Sequence, residues 1–334
     1  MTEDGWRHAR RIALASVAGL ATAKLLGWPY GAFFAFYPIV LVGLVPALNV
    51  RAVLQFVASS AAGIAIANVL VLLAQLSPVL ATLLFFAVAA RCFRMMALDR
   101  GFLFHALTIL STSLLVHLAT YSQIVPRELY TAHVLATLLS VLFSTIVYIW
   151  LPERRVLPAR IVDQTPALIR HRMLLGAICA TASYVAFQVV DLSDSLSAQA
   201  ASVLVLFPMT LAGGRWAACT RVAGTLLGSA YVLAMQLLLY THVTRVLLLL
   251  PLYAAGVTLF ATLHVRENSG SAVGLSAATA VAVLVGQLRP SADLYGISLY
   301  RFVSVLVAVC TMLLCIYLTH AVLNRFEATR IPTT

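Results

Sequence analysis

The polar residues best placed to do chemistry lie inside an apolar run at residues 101–121. They are His105, Thr108, Ser111, Thr112, Ser113 and His117. On a helix His105 and Thr112 share one face, since seven residues return the helix to within about 20°. A histidine can change its charge near neutral pH, and hydroxyls donate hydrogen bonds. The pattern favours two interpretations equally: a stripe that lines a substrate path, and ordinary hydrogen bonding between membrane helices.

Lys24 is the one fixed charge that falls inside a predicted membrane span. A lysine at the centre of a bilayer costs about 2.5–3.5 kcal/mol on insertion scales. It lies four residues before Trp28, which corresponds to roughly 6 Å of helix rise. Lys24 therefore either snorkels to the membrane surface or faces a bound anion.

Arg221 begins a second polar pattern, R-x-x-G-T-x-x-G, which continues with Gly224, Thr225 and Gly228. Glycines four residues apart let a neighbouring helix backbone approach closely, so they predict helix packing. Arg221 has two interpretations, a topology anchor at the start of a span or a partner for a substrate or a helix terminus.

Several classes of function are disfavoured by what the spans do not contain. All 11 carboxylates fall in predicted loops or at the edges of spans, so neither a proton relay of intramembrane acids nor an acidic Mg²⁺ cluster is expected. The sequence has no G-x-x-x-x-G-K-[ST] motif, which disfavours ATP hydrolysis. Its five cysteines lack paired metal-ligand spacing. We expect no enzyme activity, metal or cofactor.

The composition indicates a membrane protein, because 62% of the 334 residues are hydrophobic and 10% are charged. Soluble domains have about 25% charged residues. Runs of about 20 apolar residues can cross a bilayer as helices, and they predict an all-α polytopic protein with twelve spans in the lipid bilayer. The predicted spans are 12–28, 31–48, 52–75, 78–93, 101–121, 130–151, 172–190, 198–214, 218–240, 245–264, 271–288 and 300–323.

The basic residues predict the orientation. With a cytoplasmic N-terminus, 17 of the 21 arginines fall on the cytoplasmic side and four on the other, as the positive-inside rule requires. This asymmetry predicts a multi-pass membrane protein with both termini in the cytoplasm. The basic residues are dispersed singly, which disfavours nucleic acid as a partner. Residues 7–23 also resemble a signal peptide, but cleavage there would disrupt the charge alternation.

An internal repeat divides the predicted spans into two sets of six. Residues 37–43 read YPIVLVG and residues 207–213 read FPMTLAG. We therefore predict a first repeat at 1–152, a cytoplasmic linker at 153–171 and a second repeat at 172–334, both repeats running in the same direction.

Pro38 and Pro208 occupy corresponding places in the two repeats. Each removes a backbone donor and predicts a helix break. Such a break either exposes backbone to a substrate or simply kinks the helix for packing.

Residues 207–234 resemble the FUSC-like superfamily of fusaric acid resistance and aromatic acid exporter proteins, in which a Pro-bearing helix precedes an Arg and Gly-Thr helix. The first repeat departs from this pattern, with Phe56, Ser59 and Ser60 in place of Arg221, Gly224 and Thr225. Larger relatives carry a cytoplasmic domain between the repeats, where this chain has a short linker. It resembles a compact, membrane-only member.

The resemblance implies efflux of aromatic or other organic acids, often with a periplasmic adaptor subunit. The chain could act alone or as a homo-oligomer. We expect a secondary transporter for an organic anion whose cavity is bordered by Lys24, His105 and Thr112. Three alternatives are a passive anion channel, a membrane scaffold without transport and, least favoured, a membrane enzyme.

Cysteine labelling checks the predicted topology. In a background without native cysteines, we expect Arg160→Cys and Arg330→Cys to react with an impermeant maleimide from the same side of the membrane. Labelling from opposite sides would contradict the twelve-span topology.

Overall fold

The computed structural model describes residues 3–45, 47–121, 124–152, 165–189, 196–239, 245–267, 272–288 and 294–331. In these ranges the chain forms twelve α-helices. They are α1 (Glu3–Leu25), α2 (Gly31–Leu44), α3 (Val50–Leu76), α4 (Pro78–Ala97), α5 (Phe102–Ala119), α6 (Pro126–Trp150), α7 (Pro166–Val189), α8 (Leu196–Val205), α9 (Leu211–Leu239), α10 (Val246–Glu267), α11 (Val273–Gly286) and α12 (Leu294–Leu323).

The predicted all-α class is confirmed, and eight of the described helices are long and apolar enough to cross a membrane. Three apolar helices are shorter. Helices α2 and α11 have 14 residues and α8 has 10, which correspond to about 21 and 15 Å. A bilayer core is about 30 Å thick, so twelve complete crossings stay a prediction.

The predicted span at 198–214 is wrong in its extent. Helix α8 ends at Val205, and α9 already begins at Leu211. Pro208 lies between them, and the following Met209 has φ 54°, a left-handed conformation that does not continue a helix. Pro38 differs, because it lies inside α2 and the helix continues to Leu44.

Helix α1 begins at Glu3, nine residues before the predicted span. Its charged first turns are helical, and Arg7 pairs with Glu3 four residues earlier. The apolar pattern alone located the membrane portion and missed this polar extension.

The chain divides into two compact units. The first unit comprises Met1–Val57, Arg127–Val156 and Cys219–Val303, and the second comprises Ala58–Pro126, Leu157–Ala218 and Ser304–Thr334. Each unit draws on segments from both sides of the predicted linker. The compact units are therefore a different division from the sequence repeats, which stay a prediction.

In the first unit four helices contact one another in a ring: α1 with α2, α2 with α11, α11 with α10, and α10 with α1. Ser16 of α1 connects three of them. Its hydroxyl donates to Ala35 O of α2 at 2.8 Å and lies 2.5 Å from the hydroxyl of Tyr253 in α10. Because Ser16 has one proton, Tyr253 is the donor of the second bond.

Glycines bring the helices of this unit into backbone contact. A Cβ atom on Gly31 would lie 2.8 Å from Gly286 O, so α2 and α11 meet through their backbones. Gly224 and Gly228 of α9 face α11 in the same way, and a Cβ on Gly228 would lie 2.7 Å from Ala277 O. Close approach of this kind is how membrane helices gain packing energy.

Arg11 is fully buried in the first unit. Its guanidinium donates to Leu151 O at 2.6 Å and to Pro152 O at 2.9 Å, and it lies 4.8 Å from the ring centre of Tyr148. These carbonyls follow the last turn of α6, where the helix dipole favours a cation. Arg11 thereby caps α6 from a helix more than 100 residues earlier in the chain.

The second unit contains another ring, in which α7 contacts α8, α8 contacts α5, α5 contacts α4, and α4 contacts α7. Phe85 of α4 stacks on Tyr184 of α7 with ring centres 4.5 Å apart. Gly63 of α3 lies against Ser111 of α5, since a Cβ on this glycine would be 2.7 Å from the serine Cβ.

Gly228→Val tests the contact between α9 and α11. The added side chain would overlap Ala277 O, and overpacking of this kind costs about 1–3 kcal/mol. We expect a lower Tm for the detergent-solubilised protein. Ala223→Val, at an exposed position of the same helix, is the control, and equal Tm values for both variants would contradict the packing described.

Arg11→Met tests the cap on α6. It leaves two carbonyls without their donor, and each unsatisfied buried group costs about 1–3 kcal/mol. We expect a clear loss of thermal stability, whereas Arg10→Met, which removes a neighbouring exposed arginine, should have little effect. A similar small effect of both substitutions would show that the cap contributes nothing.

Candidate functional site

The predicted polar stripe lies on α5, in the second unit. His105 is partly buried near the start of the helix, where its Nδ1 donates to Gly101 O at 2.9 Å. Thr108 is buried and donates to Phe104 O at 2.7 Å. Both side chains therefore have a partner within their own helix.

Thr112 and Ser113 lie one turn further along α5, and their hydrogen bonding differs from that of His105 and Thr108. Thr112 is fully buried, and its hydroxyl has no hydrogen-bond partner among the described residues. Ser113 is also buried and accepts a hydrogen bond from the amide nitrogen of Gln199 in α8. The proton of the Ser113 hydroxyl is left for another acceptor.

Gln199 completes this cluster from the neighbouring helix. It is 1% exposed, and its Oε1 has no hydrogen-bond partner within the described parts of the chain. A buried amide oxygen without a partner costs about 1–3 kcal/mol. Ser202, one turn further along α8, differs because its hydroxyl donates to Ala198 O at 3.0 Å.

His117 extends the cluster by one turn beyond Ser113 and is 1% exposed. The rings of Tyr121 and Phe187 pack edge-on against its imidazole, with centres 5.2 and 5.4 Å away. The α5–α8 cluster is defined as Ser113, His117 and Gln199 together with Thr112, which precedes Ser113 and points about 100° away from it around α5. The cluster places hydrogen-bonding groups near aromatic rings, a combination found in ligand sites for organic molecules.

Two further predicted site residues, Lys24 and Arg221, lie in the first unit. The Lys24 ammonium donates to Leu288 O at 3.0 Å, just beyond the end of α11. Arg221 of α9 donates to the hydroxyl of Thr279 in α11 at 3.1 Å. Both cations therefore donate hydrogen bonds to α11 or to the residues just after it.

Gly224 and Thr225, which follow Arg221, face the protein interior. Thr225 is buried, and a Cβ on Gly224 would lie 2.5 Å from Val273 O in the first turn of α11. In this structure the R-x-x-G-T-x-x-G motif forms the surface of α9 that contacts α11.

Sequence reasoning missed a buried pair in the first unit. The hydroxyl of Tyr37 in α2 lies 2.5 Å from Nδ1 of His133 in α6, and their side chains are 7% and 1% exposed. The sequence offers little indication of this hydrogen bond, because Tyr37 stands out only as part of the repeat pattern and His133 has no recognisable partner near it in the chain.

Helix α6 also has a buried polar face that sequence reasoning missed. It consists of His133, Thr137, Ser140 and Ser144. Their spacing of four, three and four residues places them on one side of a helix. This pattern is visible in the sequence, but it is less polar than the run on α5.

Within the described ranges, no group of three histidine, cysteine, aspartate or glutamate side chains could hold a metal ion. Two histidine pairs lie near helix ends. His171 Nε2 lies 3.0 Å from His320 Nδ1 in the second unit, and the rings of His8 and His264 are 6.5 Å apart in the first.

Residues 8–147 match the sequence model of a family described as "Protein of unknown function (DUF2955)". No curated protein and no solved structure matches the chain. The family match covers less than half of the chain. It ends before Gln199 of the α5–α8 cluster and before the motif that begins at Arg221.

Proposed function

We propose that this chain is a secondary transporter that moves aromatic or other organic acids across the bacterial inner membrane. The α5–α8 cluster is its substrate site. One observation carries the proposal: the Thr112 hydroxyl and Gln199 Oε1 are buried without a hydrogen-bond partner among the described residues. An unsatisfied polar group is costly in a protein surrounded by lipid, and a bound substrate would offset that cost.

The helix contacts support a transporter built from two repeats. If α1 to α6 correspond to α7 to α12, each helix in the ring of the first unit has a counterpart in the ring of the second unit. Each ring combines the first two helices of one repeat with the fourth and fifth of the other. Transporters with repeated halves commonly bind their substrate at a repeat interface.

The two rings differ in the side chains at one pair of corresponding helix contacts. The contact between α2 and α11 is closed by Gly31 and Gly286. The corresponding contact between α5 and α8 contains Ser113 and Gln199. At this corresponding contact the second unit has hydrogen-bonding side chains where the first has glycines, which favours the second unit for substrate binding.

The substrate class follows from the chemistry of the cluster together with the FUSC-like resemblance of residues 207–234. The hydroxyls of Thr112 and Ser113 can donate to a carboxylate, and Gln199 Oε1, which only accepts, suits a hydroxyl substituent of the substrate.

The rings of Tyr121 and Phe187 suit an aromatic portion. His117 adds a cation when it is protonated. A periplasmic adaptor belongs to the resemblance and would act on the released substrate.

Transport by the purified protein tests the proposal. Radiolabelled 4-hydroxybenzoate serves as the probe, and exchange across proteoliposomes is measured against protein-free liposomes. We expect Thr112→Val to slow exchange at least tenfold at low substrate concentration, since a hydrogen bond to a charged group contributes about 1.5–3 kcal/mol. Gln199→Leu removes a neutral acceptor and should slow exchange severalfold, since a neutral hydrogen bond contributes about 0.5–1.5 kcal/mol.

Ser202→Ala is the matched control on α8, because this hydroxyl already bonds to its own helix. It should retain the exchange rate of the unchanged protein. Absence of exchange by the unchanged protein would favour a scaffold and overturn the proposal. A steady ionic current carried by the probe would indicate a channel instead of a carrier.

A further inference from the structure

His133 has an unusual position for a titratable side chain. It is 1% exposed in α6, within the first unit, and its Nε2 has no hydrogen-bond partner among the described residues. The ring is held on its other side by Tyr37, whose hydroxyl lies 2.5 Å from Nδ1. Phe33 packs edge-on against the imidazole, with ring centres 5.8 Å apart.

The bond to Tyr37 can persist in both protonation states of His133. A neutral imidazole has one N–H and one lone pair, and an imidazolium has two N–H groups. The phenol hydroxyl can either donate to Nδ1 or accept from it. A proton can therefore be gained or lost by the imidazole while the contact between α2 and α6 is kept.

Among the described residues, the groups shown in contact with His133 carry no counter-charge. From α2 it meets Tyr37 and Phe33, and Phe56 of α3 packs against Tyr37 with ring centres 6.2 Å apart. Arg11 of α1 contacts the other end of α6, at Tyr148, Leu151 and Pro152. On α6 itself Arg127 and Glu128 lie exposed in the first turn.

A chain of hydroxyls follows His133 along the buried face of α6. Thr137, Ser140 and Ser144 are each at most 3% exposed and lie about 6, 10 and 16 Å further along the helix axis. The Ser144 hydroxyl has no hydrogen-bond partner in the described part of the chain. Thr137 donates to His133 O at 2.8 Å and Ser140 donates to Ala136 O at 2.6 Å, and each hydroxyl oxygen can still accept a further hydrogen bond.

We infer that His133 is the proton-binding site of the transport cycle, and that Tyr37 positions its imidazole. Hydronium transfers a proton to the free lone pair of the imidazole, which forms one N–H bond and leaves a water molecule. The reverse transfer to water restores the neutral imidazole, so the positive charge leaves with the proton. The inference rests on the proposed function and identifies the proton as the ion that is coupled to transport.

Proteoliposomes with an imposed pH gradient test this inference. For one coupled proton, a gradient of one pH unit corresponds to about 1.4 kcal/mol and supports about tenfold accumulation of 4-hydroxybenzoate. Liposomes without protein give the passive component, which is subtracted. We expect His133→Gln, whose amide can still bond to Tyr37, to lose this accumulation while exchange at equal pH continues.

His320→Gln is the matched control. His320 lies in the second unit, partly buried near the end of α12, where it bonds to Asn324 and His171. Its substitution should leave exchange and accumulation unchanged. Tyr37→Phe provides a second test. It should alter the pH dependence of accumulation and spare exchange, even if His133→Gln does not fold.

The outcomes separate the two proposals. Exchange by the unchanged protein, together with full gradient-driven accumulation by His133→Gln and Tyr37→Phe, would overturn the role of His133 alone. Absence of exchange by the unchanged protein would overturn the proposed function and this inference together.

Discussion

Hydrocarbon offers no hydrogen bonds, and most features of this structure follow from that constraint. Polar groups in the apolar helices have to be satisfied by the protein itself. Ser16 uses its single hydroxyl to connect α1, α2 and α10. Lys24 and Arg11 bind the carbonyls that follow α11 and α6. Glycines then let backbones meet where side chains would only separate them.

Against this background the groups without partners are informative. Thr112 and Gln199 in the second unit and His133 in the first are deeply buried, and each retains an unused hydrogen-bonding atom among the described residues. A packing role would have favoured alanine, leucine or phenylalanine at these places. Their cost is most simply offset by a ligand or a proton that occupies them during the working cycle.

Much of the fold could be predicted from the sequence because lipid imposes a simple rule on composition. The apolar runs located all twelve described helices, and Ser, Thr and His at helical spacing drew attention to α5. The boundaries at α8 could not be predicted, since the break depends on the left-handed conformation of Met209. Gln199 and His133 were missed because their partners, Ser113 and Tyr37, lie 86 and 96 residues away in the chain. Hydrophobic periodicity contains no information about such distant pairs.

The cap that Arg11 places on α6 has a consequence for biogenesis. Its acceptors, Leu151 and Pro152, are synthesised 140 and 141 residues after it, so α1 to α5 are made before the cap can form. During that interval the guanidinium can pair with lipid headgroup phosphates. Arrival of α6 then offers a protein contact in their place, and Arg11 fixes the end of the sixth helix.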